Sequence, residues 1–256
     1  MSSEVKSNKI SPATGTDFTF GDSGDTFTIP SGVTLTNNGT ASGFAEPSGL
    51  ASVQYFTSSG TWTRPSGITK IVVEIFGGGG GGGGGNTSGN VNGANGGGAG
   101  GYSMKFIDVS SISSATVTIG SAGSGGGGHS NGSAGGNSSW SDGTNTLTCN
   151  GGTGGLKSGS NISNLGGTAS GGDINASGGA GENGFSDASG HGGSGGIQSA
   201  SVGGNGVGDY YGNTNLTCRN AFGYAHGGAG GNGISGGGTK TGGNGADGWC
   251  KVMEYK

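Results

Sequence analysis

Nine consecutive glycines, Gly77 to Gly85, constrain this chain more than any other feature of its sequence. Glycine has no side chain, so such a run buries no apolar surface to offset the conformational entropy lost on folding. The run belongs to a wider bias, since 71 of the 256 residues are glycine. Nine of them lie in residues 1–76 and sixty-two in residues 77–248. The composition therefore changes near Phe76, and the two sides are expected to differ in structure.

The remaining composition excludes several classes of protein. Charged residues make up 9% of the chain, too few for the disordered class that charge repulsion keeps expanded. The four prolines and the lack of a Gly-X-Y period exclude collagen, and no apolar run is long enough to span a membrane. The net charge of −4 does not favour nucleic-acid binding. The first six residues lack the apolar stretch of a signal peptide.

Short runs of β-branched or alternating residues predict strands on both sides of Phe76. In the first part these runs are 26–29 and 33–36, joined by a Pro-Ser-Gly turn. This strand–turn–strand unit recurs 35 residues later, at 61–69. In the second part the predicted strands are 70–76, 102–106, 116–119, 146–149 and 249–255. No helical periodicity of useful length occurs, so the sequence predicts an all-β protein with a small antiparallel framework and no significant α-helix.

The long glycine-rich connections between these strands allow two interpretations. One is a flexible linker, which needs only glycine and serine in any order. The other is a packed bundle of polyglycine II helices, which have three residues per turn and outward-pointing backbone groups. Blocks of the type Gly-Gly-X-Gly-Gly recur at 151–155, 192–196 and 227–231, separated by insertions such as 161–165 and 209–213. Because insertions with aromatic residues are atypical of solvated linkers, the sequence favours the ordered bundle.

The order of the landmarks resembles that of a known family. The run from Tyr55 to Glu74 and the glycines after it are similar to the opening of the glycine-rich domain of phage tail-fibre proteins. The last part of the sequence, from Gly242 through Trp249 to Tyr255, looks like the final strand of that domain. Ser138-Ser139-Trp140 and 147–152 resemble its internal landmarks, and 10–44 is similar to a short β-rich segment of tail-fibre-like proteins. The resemblance implies residues 1–50 as an N-terminal stalk or attachment segment and residues 51–256 as a glycine-rich receptor-binding domain.

The function that this resemblance implies is attachment of a phage to its host at the tip of a tail fibre. The expected partners are a host cell-surface glycan or outer-membrane protein and other tail-fibre subunits. The N-terminus does not resemble the docking module of distal adhesins, which favours a homotrimeric fibre subunit that carries its own stalk. The protein is then expected in the virion, after synthesis in the host cytoplasm, with no membrane insertion.

The candidate receptor-binding residues are aromatic, apolar or charged residues in the insertions between the glycine blocks. Aromatic side chains offer a broad contact area with a polar tip and little conformational entropy to lose. One candidate loop contains Asp209, Tyr210, Tyr211, Arg219, Phe222 and Tyr224, and Ile162 and Leu165 belong to another. The alternative is that these residues cap and fill the ends of the bundle.

No enzyme, metal or cofactor site is predicted. Gly192-Gly193-Ser194-Gly195-Gly196 matches the nucleophile-elbow pattern, but the strand and helix that an elbow needs are missing. His129, His191 and His226 have no neighbour at ligand spacing, and the three cysteines are read as reduced and packed. Two other classes remain as alternatives, a structural virion or capsid fibre component without receptor binding and an ice-binding polyglycine II protein. A depolymerase would need a carboxylate-lined groove, which the sequence does not indicate.

Overall fold

The computed structural model of the chain describes residues 26, 28–34, 36, 49–86, 93–159, 165–185, 192–198, 203–204, 218–231 and 240–256. Contacts divide the chain into two compact units, Met1–Ala45 and Glu46–Lys256. The division after residue 50 into a stalk and a receptor-binding domain stays a prediction. None of the described segments forms a helix that is long and apolar enough to cross a membrane.

The repeated Pro-Ser-Gly element forms the same turn in both of its copies. In the turns 30–33 and 65–68, the last amide donates to the first carbonyl over 3.2 and 3.3 Å. The third residue of each turn has a positive φ, +86° at Gly32 and +78° at Gly67, which glycine adopts without strain. The second copy follows a paired strand. The strands predicted around the first copy are not formed in residues 28–34, because no described segment pairs with them.

Twelve strands occur in the described residues, and all their pairings are antiparallel. They are β1 (Leu50–Phe56), β2 (Gly60–Thr63), β3 (Lys70–Phe76), β4 (Tyr102–Asp108), β5 (Ser114–Thr118), β6 (Ser138–Ser141), β7 (Thr146–Cys149), β8 (Ala169–Ser170), β9 (Ile174–Ala176), β10 (Gly203–Gly204), β11 (Phe222–Gly223) and β12 (Trp249–Tyr255). One five-stranded sheet has the order β1-β12-β3-β4-β9, the other β2-β5-β6-β7-β8, and β10 pairs with β11. The predicted all-β class is confirmed, since the described residues contain no helix.

The two five-stranded sheets enclose a compact hydrophobic core. In β3 the alternate residues Ile71, Val73 and Ile75 are fully buried, as expected for one face of a strand. Across the core from them lie Trp62 and Trp140, whose ring centroids are 5.4 Å apart. None of the described glycine-rich segments contributes to this cluster. The hydrophobic effect therefore stabilises the sheets, and the glycine-rich segments need a different source of order.

That source is a lattice of backbone hydrogen bonds around the nine glycines. Residues 77–85, the first core segment, are buried at every position. Their amides donate to three neighbouring segments in turn, 93–101, 130–136 and 240–246. Every third amide therefore bonds to the same segment. Their carbonyls accept amides from segments 123–126, 152–158 and 228–231. Six neighbours and a period of three residues are what a polyglycine II helix in hexagonal packing requires.

A second core segment, residues 93–101, repeats this arrangement next to the first. It runs antiparallel to the first core segment, with the Gly77 amide bonded to Gly101 and the Gly83 amide to Asn95, both over 2.9 Å. Eight outer segments, each bonded to the next, close a ring around the two core segments. They are 120–126, 130–136, 150–158, 165–168, 178–185, 192–198, 225–231 and 240–248. The described glycine-rich segments thus form an ordered bundle, as the sequence predicted.

The number of neighbouring segments around a given segment determines at which of its positions glycine is required. A Cβ atom at Gly81, within the first core segment, would overlap the carbonyl group of Ser124. In the outer segment 178–185, a Cβ would overlap a core segment at every third residue, as at Gly181, where it would meet the carbonyl group of Gly96. A Cβ at Gly179 would meet the neighbouring outer segment at Ile197, whereas other positions carry side chains such as that of Phe185. The Gly-Gly-X blocks are therefore outer segments with two covered faces and one free face.

Candidate functional site

The two ends of the bundle differ in structure. At one, which we call the sheet end, the segments continue into strands, as residue 77 does from β3 and residue 248 into β12. At the opposite end, the distal end, the chain passes from one segment to the next. The described flanks of five connections lie there: residues 85 and 93, 126 and 130, 158, 185 and 192, and 231 and 240. The two sheets thus hold one end of the bundle, and these flanks gather at the other.

Hydrogen bonds place the flanks of these connections at a common level. The Gly84 amide donates to Ser130 over 2.8 Å, and the Ser158 amide donates to Gly84 over 3.3 Å. The neighbouring Gly85 amide donates to Lys240 over 3.0 Å. Each connection is therefore anchored to a core segment at its base. Variable insertions on such a base leave the lattice intact, which is the usual arrangement of a binding surface on a scaffold.

The described side chains of the distal end include an aromatic ring, a cation and an imidazole. Phe185 is 63% exposed, and its carbonyl accepts the Gly93 amide over 3.0 Å. Lys157 is exposed, and its amide donates to the side chain of Asn131 over 2.9 Å. His129 is also exposed, with its Nδ1 atom 3.1 Å from the Ser158 hydroxyl oxygen. Sequence reasoning did not assign Phe185 or Lys157 to the site and considered His129 only as a metal ligand, because a single aromatic or basic residue beside glycine carries no local signal of exposure.

Half of the residues predicted from the sequence lie in the described part of the chain, and these do not all lie in one place. Asp209, Tyr210, Tyr211 and Ile162 lie outside the described residues. The described candidates, in contrast, can be placed. Leu165 is 68% exposed and begins the outer segment 165–168. Arg219 and Phe222 are exposed near β11, and Tyr224 is half-buried.

Leu165 and Arg219 lie on opposite sides of the plane through the two core segments. Leu165 accepts the amide of Thr153, in a segment bonded to both core segments on one side. Arg219 accepts the amide of Ala229, in a segment bonded to both core segments on the other side. One ligand patch cannot include both without wrapping around the bundle.

Tyr224 belongs to an aromatic cluster at the sheet end. Trp249 is stacked between Tyr55 and Phe76, at centroid distances of 5.8 and 5.1 Å, and Tyr224 is tilted against it at 5.7 Å. The next ring in the row, Tyr102, is 4.7 Å from Phe76. These rings cover the point where the bundle meets the first sheet, which is the filling role that the sequence left open for Tyr224. Phe222, two residues earlier, remains 65% exposed.

The buried titratable groups are suited to packing rather than to chemistry. Burial raises the pKa of the Cys149 thiol to about 12, and it raises the pKa of Cys250 as well. Both thiols are therefore protonated and poor nucleophiles at neutral pH. Cys218 is a third buried cysteine.

His226 is a fully buried histidine at the sheet end. Its Nδ1 atom accepts the amide of Gln198 over 3.3 Å, and its Nε2 atom has no partner among the described residues. Desolvation lowers the pKa of this imidazole, so it is neutral in the folded protein. Within the described residues no cluster of three metal-ligating side chains occurs, and no described carboxylate bonds to His129. The pair of His129 and Ser158 therefore lacks the third member of a hydrolytic triad.

One protein-family model matches most of the chain. A family model described as a glycine-rich domain matches residues 54–255. The match spans β3, both core segments, the ring of outer segments and β12. No curated protein matches the chain.

Proposed function

We propose that this chain, which belongs to the glycine-rich domain family, is a receptor-binding protein of a phage tail fibre. The landmarks that resemble tail-fibre proteins lie mostly within the matched residues. The protein would act in the virion, by non-covalent recognition of a glycan or an outer-membrane protein on the host surface.

The observation that carries this proposal is the gathering of the flanks of five connections at one end of a rigid bundle. A hydrogen-bond lattice holds the flanks of each connection, so their sequences can change without loss of the scaffold. Recognition of varied receptors needs this combination of a fixed base and replaceable loops. A spacer protein gains nothing from it.

The distal end is the surface we assign to the receptor. Phe185 offers an exposed ring for stacking on a sugar or an apolar side chain, and Lys157 offers a positive charge for an anionic group. The competing surface is the sheet-end region of Phe222, to which the sequence-predicted aromatic loop is connected. If several copies of the chain act together, their weak sites gain affinity through effective concentration.

Two phenylalanines distinguish these surfaces, because they are matched in exposure and lie in different parts of the bundle. Phe185 is 63% exposed at the distal end, and Phe222 is 65% exposed two residues from Tyr224 of the sheet-end cluster. The test measures binding of the labelled full-length chain to a panel of candidate bacterial hosts, with Phe185→Ala and Phe222→Ala in parallel. Truncation of a central interface aromatic can cost about 1.4 kcal/mol of binding free energy or more, which corresponds to at least about tenfold weaker binding. A loss of this size is expected for Phe185→Ala. Phe222→Ala is expected to bind within about twofold of the wild type.

Other outcomes lead to defined alternatives. Loss of binding only in Phe222→Ala would move the receptor site to the loop of Asp209, Tyr210 and Tyr211. Absence of binding to every host in the panel would favour a structural fibre component. An ice-binding protein would bind no cell and would depress the freezing point of its solution. Circular dichroism of both variants must match that of the wild type for these readings to hold.

A further inference from the structure

The edges of the first sheet are protected unequally. Its edge strand β9 has only three residues, and the Asp173 carboxylate, beside it, accepts the amide of Phe106 over 2.9 Å. The same carboxylate pairs with Lys105 at 3.3 Å. A short edge with charged side chains that occupy its backbone groups is one of the ways in which proteins prevent association through strands.

The opposite edge strand, β1, has none of this protection over most of its length. It has seven residues, Leu-Ala-Ser-Val-Gln-Tyr-Phe, with no charge and no proline. Among the described residues only β12 pairs with it, and the single irregularity lies at its start, between Leu50 and Ser52. Large apolar side chains on it are exposed, 56% at Leu50 and 64% at Tyr55. A strand of this kind can accept another strand.

The sequence of β1 is complementary to itself in the antiparallel direction. When two copies of β1 are related by a twofold axis through Val53, each of the seven residues faces a residue of the other copy. Val53 then faces the Val53 of the second copy. The polar residues Ser52 and Gln54, which bond to the Glu254 carboxylate on the inner face, then lie opposite each other. On the outer face, the large Tyr55 lies opposite the small Ala51. No like charges meet, because the strand has no charges.

We infer that β1 is an interface through which a second copy of this chain joins, so that the two first sheets form one continuous ten-stranded sheet. The hydrogen-bond ladder that already runs from β9 to β1 then continues into the partner. The contact is isologous, since the same strand serves on both sides. A single pair of seven-residue strands is small beside a standard interface of about 800 Å² per partner, so the dimer is expected to dissociate on dilution. The inference is independent of the proposed receptor binding.

The register makes a specific test possible, because residue 53 faces itself across the axis. Val53→Lys places two like charges directly opposite each other, which destabilises a strand pair. Val53→Glu does the same. When the two variants are mixed, lysine faces glutamate and the pair is restored. The matched control is Ile174→Lys on β9, since Ile174 is an exposed residue of the opposite edge strand.

The experiment is sedimentation velocity of the full chain over a hundredfold range of concentration. The inference predicts a concentration-dependent dimer for the wild type and for Ile174→Lys, monomers for each Val53 variant alone, and a dimer for their equimolar mixture. A wild type that stays monomeric throughout would overturn it, and so would a trimer, which a twofold strand pair cannot form. Dimers that persist in Val53→Lys, or a mixture that stays monomeric, would also contradict it. Circular dichroism checks that each variant is folded.

Discussion

The indole Nε1 atom of Trp62 donates a hydrogen bond of 2.7 Å to the Oε1 atom of Glu254, and both side chains are fully buried. Trp62 lies in β2 and Glu254 in β12, so this bond joins the two sheets through the core. Ser52 and Gln54 of β1 also donate to the same carboxylate. A buried charge is tolerated when several hydrogen bonds satisfy it, and removal of one donor leaves it undersatisfied.

Trp62→Phe is therefore predicted to destabilise the fold more than Trp140→Phe. Both tryptophans are fully buried and the substitutions remove the same atoms, but Trp140 Nε1 has no acceptor among the described residues. The difference between the two variants should be about 1–3 kcal/mol, the cost of an unmet hydrogen bond to a buried charged group. Urea unfolding followed by fluorescence or circular dichroism measures it. Equal losses in the two variants would show that the bond to Glu254 contributes nothing beyond packing.

The lattice predicts a sharp contrast between glycines. Gly81→Ala places a methyl group against the backbone of Ser124, where no side chain can move aside, whereas Gly127→Ala meets nothing within 4 Å. Gly81→Ala should cost more than about 3 kcal/mol, above the usual range for overpacking, because the clash is with backbone. Gly127→Ala should be neutral or slightly stabilising, since alanine restricts the unfolded chain. Thermal unfolding compares the two, and a Gly81→Ala protein as stable as the wild type would be incompatible with the bundle.

The buried histidine predicts a loss of stability in mild acid. Burial lowers the pKa of His226, so below about pH 6.5 the unfolded chain takes up a proton at this residue before the folded protein does. The contribution of the neutral imidazole is thus complete above that pH and is lost as the pH falls, by up to about 1.4 kcal/mol per pH unit. Unfolding free energies between pH 7.5 and 5.0 measure this slope. The dependence of the unfolding free energy on pH should be weaker in His226→Gln.

The exposed His129 provides the control for this measurement. The matched variant His129→Gln removes a histidine that is exposed at the distal end rather than buried. An unchanged slope in His226→Gln would mean that other groups cause the acid sensitivity.

Local pattern was enough to predict the strands that line the core. Lys70–Phe76 and Trp249–Tyr255 alternate buried and less buried residues, and both form strands with the predicted bounds. β1 was not predicted, because its polar residues Ser52 and Gln54 point inward to a buried carboxylate and most of its apolar residues are exposed, the reverse of the usual pattern. Only the tertiary structure, which brings Glu254 from the far end of the chain, makes that polar pattern favourable.

The bundle was predicted from its Gly-Gly-X blocks, but its two ends could not be told apart from the sequence. Which end carries a connection depends on how many segments the chain has crossed before it. For this reason the sequence grouped Tyr224 with exposed receptor-binding residues, whereas its ring packs against Trp249 at the sheet end. Phe185 lies in a similar glycine-rich context and is exposed at the distal end. Exposure at these positions is set by the lattice and has no local signal.

The ordered lattice around residues 77–85 is the central claim, and amide hydrogen exchange tests it most directly. Every amide from Gly77 to Gly85 donates to a backbone carbonyl over 2.8–3.0 Å and is buried. These amides should therefore exchange as slowly as those of β3 and β12, with protection approaching that of global unfolding. Exchange at the rate of a free glycine linker would contradict the bundle, and with it the rigid base on which the proposed receptor surface depends.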